Sequence, residues 1–214
     1  MVVPQKMAVG IAVIDYGLGN IRSVGKALEA GGAEVAVTSE ERAIKNSAGI
    51  VFPGVGAFAR GMENVRERGL LEVLIQEFLK GKPFLGICLG LQLLFTESEE
   101  HGHSRGFDVV GGVVRKFTGN IKIPHIGWNT VKIKNSASGM FEGIKDGSYF
   151  YFVHSYYVEP DEETAVAAVT SYGKNFTSAI ARDNLWGVQF HPEKSGANGL
   201  KILGNFIKKC SENV

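Results

Sequence analysis

The sequence predicts an α/β fold, with a mostly parallel central sheet in the first half and antiparallel strands added in the second. Three observations carry this. As far as Phe95, short apolar runs alternate with amphipathic stretches, the pattern of strands buried on both faces and joined by right-handed helical crossovers. Beyond that point, strand-like segments follow one another closely enough to pair as hairpins. No repeat, low-complexity tract or linker divides the chain, so residues 7–214 read as one domain behind an N-terminal extension at residues 1–6.

The elements justify this in order. Ala8–Asp15 is a near-continuous apolar run, as a doubly buried strand requires. After a turn at Gly17-Leu18-Gly19, the Asn20 side chain can cap a helix that runs to Ala30 and ends at Gly31-Gly32. Glu34–Thr38 and Gly49–Phe52 read as strands, and Pro53–Gly56 as a loop. A longer helix is expected from Glu63 to Lys80. Leu70, Leu71, Leu74, Ile75, Phe78 and Leu79 recur there at helical spacing, with Arg66, Glu67, Glu72, Gln76 and Glu77 largely opposite. Pro83–Ile87 is a further buried strand and Leu89–Phe95 a helix. The second half offers strands at Val109–Lys116, Thr130–Lys134, Tyr149–His154, Ala165–Ser171, Thr177–Arg182 and Leu185–Phe190, then a closing helix over Asn198–Lys209.

Composition narrows the function. At 214 residues a folded chain buries about 70% of its unfolded surface, so its core needs no disulfide or metal staple. A formal net charge of +1 gives no basic field to gather nucleic acid. The cysteines are two, Cys88 and Cys210, with no CxxC pair. That excludes a thiolate zinc site and suits a reducing, cytoplasmic compartment. The apolar stretch Met7–Ile14 is far shorter than the ~20 residues of a membrane span. No cofactor is implied.

The most informative pentapeptide is Gly86-Ile87-Cys88-Leu89-Gly90, at the junction of an expected strand and helix. It has the form of a nucleophile elbow with cysteine in the central place. Glycines at the flanks avoid Cβ clashes in so tight a turn. The following helix would turn its free N–H groups and positive dipole end toward the sulfur, and the Leu89 N–H toward a developing oxyanion. The alternative is a small buried hydrophobe, the common role of an intracellular cysteine. A second motif, Phe190-His191-Pro192-Glu193, ends an expected strand. There Pro192 stops the ladder and Glu193 can reach the far nitrogen of His191. A thiol needs such a base, and a leaving amine needs the same group as an acid.

With these motifs in place, the sequence resembles the class I, triad-type glutamine amidotransferases from Ala8 to Lys209. The resemblance implies a three-layer, flavodoxin-like fold and attack of Cys88 on the glutamine side-chain amide, with His191 and Glu193 completing the triad. Pro53-Gly54-Val55-Gly56-Ala57-Phe58, Asp15–Asn20, Pro124–Asn129 and Phe152–Tyr157 are similar to the histidine-pathway branch, the glutaminase subunits of imidazole glycerol phosphate synthase. For that branch the resemblance implies a (β/α)₈-barrel cyclase as heterodimer partner. It also implies an ammonia channel and a glutaminase nearly idle until the partner binds substrate. Carried over by position, it makes Gln92 and Glu100 contacts to the glutamine head group, with Ser155 and Tyr156 near the same pocket. Val55, flanked by Gly54 and Gly56, becomes the second oxyanion donor, and rotation of its peptide the switch. Asn20, Trp128, Tyr151 and Lys194 match partner-facing positions, although ordinary core is the alternative for Trp128 and Tyr151.

Other signals carry little weight. Arg22 stands where a dinucleotide fingerprint needs its third glycine. His101 and His103 lack a third ligand nearby.

Overall fold

The alternation in the first half is realised strand by strand in the computed structural model, which describes residues 9–135 and 138–212. The expected extension at residues 1–6 lies outside them. The chain forms β1 (Val9–Ile14), α1 (Ile21–Ala30), β2 (Ala33–Thr38), α2 (Glu41–Asn46), β3 (Gly49–Gly54), α3 (Phe58–Glu67), α4 (Leu70–Leu79), β4 (Phe84–Cys88) and α5 (Leu89–Leu93). Then come β5 (Phe95–Ser98), β6 (Ser104–Arg105), β7 (Val110–Lys116), β8 (His125–Thr130), β9 (Lys132–Ile133), β10 (Tyr149–His154) and β11 (Tyr156–Pro160). β12 (Val166–Tyr172), β13 (Lys174–Arg182), β14 (Leu185–Val188), a 3-10 turn Pro192–Lys194 and α6 (Gly196–Ser211) complete it.

β2-β1-β3-β4-β14 lie side by side and parallel, with β14 in the fifth place of the flavodoxin-like order. The sheet continues through β13, β11, β7, β5 and β6, where antiparallel pairing dominates. Both faces are buried, and the pleat sorts side chains between them. Ile11 and Val13 of β1 join the core under α1 and α6. Ala12 and Ile14 join the core under α2, α3 and α4. β8 and β10 form a separate two-stranded antiparallel ribbon, which packs against α6.

Several expectations need correction. The helix expected over residues 63–80 is two helices, because Gly69 adopts φ +65 between them. Its sides are also not as periodicity implied. Leu79 is 74% exposed, whereas Glu77 is buried beside Lys80 at 2.6 Å and Lys82 at 2.8 Å. Burial alone would raise the Glu77 pKa, but the two lysines hold it below its ordinary value. Asn20 precedes α1 without a side-chain capping bond. The helix after Cys88 stops at Leu93, because Phe95 already pairs with Val110 in the sheet. The strand expected over Thr130–Lys134 is instead the end of β8 and the short β9. Among the described residues, no helix is long and apolar enough to cross a membrane.

Candidate active site

The candidate residues gather where β3, β4 and β14 end, at the carboxyl edge at which doubly wound sheets hold ligands. Cys88 is the last residue of β4 and the first flank of α5, with φ +54. That left-handed conformation is costly for a residue with a Cβ and marks a strained turn. Its flanks show why both are glycine. A Cβ on Gly86 would lie 2.9 Å from the Leu91 backbone, inside the turn's own helix. A Cβ on Gly90 would lie 1.7 Å from the Phe52 carbonyl oxygen on β3. The second glycine therefore serves the packing of helix on strand rather than the turn itself.

His191 follows β14 and is almost wholly buried. Its backbone N–H donates to the Tyr151 carbonyl at 2.9 Å. Ser195 braces the same corner, accepting from the Tyr151 N–H at 3.0 Å and donating to the His191 carbonyl at 2.6 Å. The ring meets Glu193 Oε1 through Nδ1 at 2.9 Å. Nε2 is buried without a closed hydrogen bond, yet the ring interacts with the Cys88 thiol. Burial opposes charge on the imidazole. The interactions with Cys88 and Glu193 outweigh it and raise the pKa to about 10. These contacts favour the charged form of the ring over the neutral one.

A cavity of about 290 Å³ opens over the sulfur, near the lower end of ligand-sized cavities and suited to one amino acid. Val55, Gly56, Cys88, Leu89, Gln92, Glu100, Ser155 and Tyr156 line it, with Pro124, Val153 and His154. Gly54 lies just behind, paired in register with Cys88 and packed on the Tyr16 hydroxyl. Two expected substrate contacts have prior engagements. The Gln92 amide nitrogen donates to the Tyr156 carbonyl at 3.0 Å and to Gln189 Oε1 at 3.1 Å. One Glu100 oxygen accepts the Phe58 N–H at 2.6 Å, which ties this wall to the start of α3.

The residues expected to face a partner also cluster. Trp128 and Tyr151 are cross-strand neighbours on the ribbon, with rings 6.1 Å apart and nearly perpendicular. Lys194 Nζ stands 5.9 Å from the Tyr151 ring centre. Asn20 heads α1, which packs against the turn carrying Lys194. Trp128 is 55% exposed, which rules out the core reading for it. Tyr151 is half-buried. Sequence reasoning missed Gln189, whose amide nitrogen lies 3.6 Å from the Cys88 sulfur, and Ser195. Gln189 stands two residues before His191, just past the end of β14, and its contact with Cys88 leaves no signal in the local sequence.

Known proteins share this sequence pattern and this fold. Residues 12–210 match the model of the glutamine amidotransferase class-I family, and the chain belongs to that family. Within it, the chain is 51% identical over 201 residues to the imidazole glycerol phosphate synthase subunit HisH of Aquifex aeolicus (strain VF5), covering 94% of this chain and 97% of that one. Its identity to the subunit of the same name from Moorella thermoacetica (strain ATCC 39073 / JCM 9320) is 50% over 196 residues, covering 92% and 93%. The fold is also that of PurLQS from Thermotoga maritima, with a TM-score of 0.75 at 17% identity over 95% of this chain and 99% of that chain.

Proposed function

We propose that this chain is the glutaminase subunit of imidazole glycerol phosphate synthase, hydrolysing L-glutamine to glutamate and ammonia. One observation carries the chemistry: the strained Cys88 and the buried His191–Glu193 pair interact beside a single amino-acid-sized cavity.

The Cys88 thiolate attacks the side-chain amide carbon, and the C=O π electrons move onto oxygen. The Val55 and Leu89 N–H groups receive that oxyanion. One such donor contributes about 3 kcal/mol. Protonated His191 gives its proton to the nitrogen as the C–N bond breaks and ammonia leaves. A glutamyl thioester remains. The now neutral ring takes a proton from water, whose oxygen attacks the thioester carbon, and glutamate leaves as the sulfur regains its electron pair. Glu193 holds the ring so that Nε2 faces the reaction. Glu100 receives the α-ammonium, and Gln92, Ser155 and Tyr156 frame the head group.

In this reading the partner is a (β/α)₈-barrel cyclase docked on Asn20, Trp128, Tyr151 and Lys194. It uses the channelled ammonia to form imidazole glycerol phosphate and an aminoimidazole-carboxamide ribotide in histidine biosynthesis. Gly56 at φ +118 lets the Val55 peptide rotate when the partner binds substrate, which makes the coupling allosteric. Both cysteines are free thiols, in keeping with a reducing cytoplasm. The experiment is to mix the purified chain with the cyclase subunit, glutamine and the cyclase's nucleotide substrate. Stimulated glutamate release is expected, and its absence removes the pathway assignment.

A further inference from the structure

Beyond the triad, an unbroken row of hydrogen bonds crosses the protein from the outer ribbon to the nucleophile. At the ribbon end, Asn129 Nδ2 contacts His125 Nε2 at 3.2 Å. His125 Nδ1 meets His154 Nε2 at 3.0 Å, and His154 Nδ1 meets the Tyr156 carbonyl at 2.8 Å. The same carbonyl accepts from Gln92, which also donates to Gln189 Oε1. Gln189 Nε2 closes the row 3.6 Å from Cys88 Sγ.

The polarity of every link follows from one atom. A backbone carbonyl only accepts, so Tyr156 requires the proton on His154 Nδ1 and the amino group of Gln92 on its side. His154 Nε2 is then an acceptor, so His125 carries its proton on Nδ1 and accepts from Asn129 on Nε2. On the other branch the Gln92 amino group faces Gln189, which must present its oxygen there. The Gln189 amino group is thereby turned to the sulfur and cannot flip without placing two like groups face to face. Burial keeps both histidines neutral, with pKa values near 4 for His125 and near 3 for His154, so the row keeps this sense at working pH. The thiol also lies 4.0 Å from the Val153 carbonyl, which can accept from S–H but does nothing for the anion.

We infer that Gln189 is the hydrogen-bond donor that stabilises the Cys88 thiolate, its amide held in the donating orientation by Gln92, which the Tyr156 carbonyl orients in turn. This rests on Cys88 being the nucleophile. The titratable side chains that act on the sulfur are His191 and Tyr16, and neither belongs to the row.

The test uses the full chain, thiolate absorbance in the far ultraviolet and the rate of alkylation by iodoacetamide at neutral pH. Cys210 is wedged against Gly49, and burial pushes its pKa up to about 12, so alkylation reports Cys88. Gln189→Met is expected to be alkylated about tenfold more slowly with less thiolate absorbance, the loss of one hydrogen bond to a charged acceptor. Gln92→Met, which takes away the donor to the Gln189 oxygen and frees that amide to flip, is expected to slow alkylation in the same direction by a smaller factor. Nitrogen NMR of the unmodified protein is expected to show both histidines protonated at Nδ1, which needs no variant. A wild-type rate in Gln189→Met removes the donor. A wild-type rate in Gln92→Met removes the orienting role of Gln92, and an Nε2–H tautomer at either histidine removes the hydrogen-bonded row. A wild-type Cys88 no more reactive than a free thiol overturns the nucleophile and this inference together.

Discussion

His191 Nδ1 and Glu193 Oε1 meet at 2.9 Å with both side chains sealed from solvent. A carboxylate in that place fixes which ring nitrogen faces Cys88 and favours the charged form of the ring.

Glu193→Gln should therefore keep the shape of the site and lose its electrostatics. The expected result is a kcat for glutamine hydrolysis lower by about 10²–10⁴, as for other orienting carboxylates, with little change in KM. Steady-state kinetics on protein of unchanged circular dichroism measures this. A kcat within threefold of wild type would show that Glu193 does not orient the base.

Cys88→Ala should abolish glutamine hydrolysis. Ammonia-dependent cyclisation by the proposed partner should persist when the variant is supplied as its companion subunit. Residual glutaminase at the wild-type rate would move the nucleophile elsewhere.

Gly90→Ala places a methyl group 1.7 Å from the Phe52 carbonyl oxygen. Since β3 and α5 are both fixed by the core, the expected destabilisation is about 1–3 kcal/mol or more. It would be read as a lower urea midpoint at unchanged slope. An unshifted midpoint would mean that α5 slides freely on β3.

Burial pulls His125 from 6.5 to about 4 and His154 from 6.5 to about 3. In the unfolded chain both take protons near 6.5. The stability that depends on their neutrality is thus present above that pH and lost as pH falls toward 4 and 3. His125→Phe should flatten the loss of stability between pH 6.5 and 4 by about 1.4 kcal/mol per pH unit, the effect of one proton. Parallel slopes for variant and wild type would place a proton on His125 in the folded state.

Trp128→Ala should weaken binding to the proposed cyclase by about 30-fold or more, the effect of losing an interface anchor of about 2 kcal/mol. Calorimetric titration of the two purified subunits tests it. Unchanged affinity would put the interface on another face.

The parallel core was legible because each of its strands is a local apolar run bounded by turn residues, as Gly49-Ile50-Val51-Phe52 is. The elbow and the His191–Glu193 pair were legible for a related reason, since each is a contiguous motif. What escaped was set by partners distant in sequence. β8 begins at His125 and carries Gly127, whose φ of +132 breaks strand periodicity, so it reads as a loop until β10 pairs with it. Glu77 reads as a solvent-facing residue until α2 packs against α4 and the α2 carbonyls hold Lys82 over it. Gln189 lies just ahead of the Phe190–Glu193 motif, but its contact with Cys88 spans about a hundred residues and has no local signature.

The ribbon of β8 and β10 has a further consequence. Its pairing sets Trp128 opposite Tyr151 and His125 opposite His154, on opposite faces. A slip of one residue along either strand would turn aromatic rings inward and imidazoles into water. The proposed docking residues and the paired histidines of the row thus lie on two sides of one strip, and a misaligned strip would displace both at once.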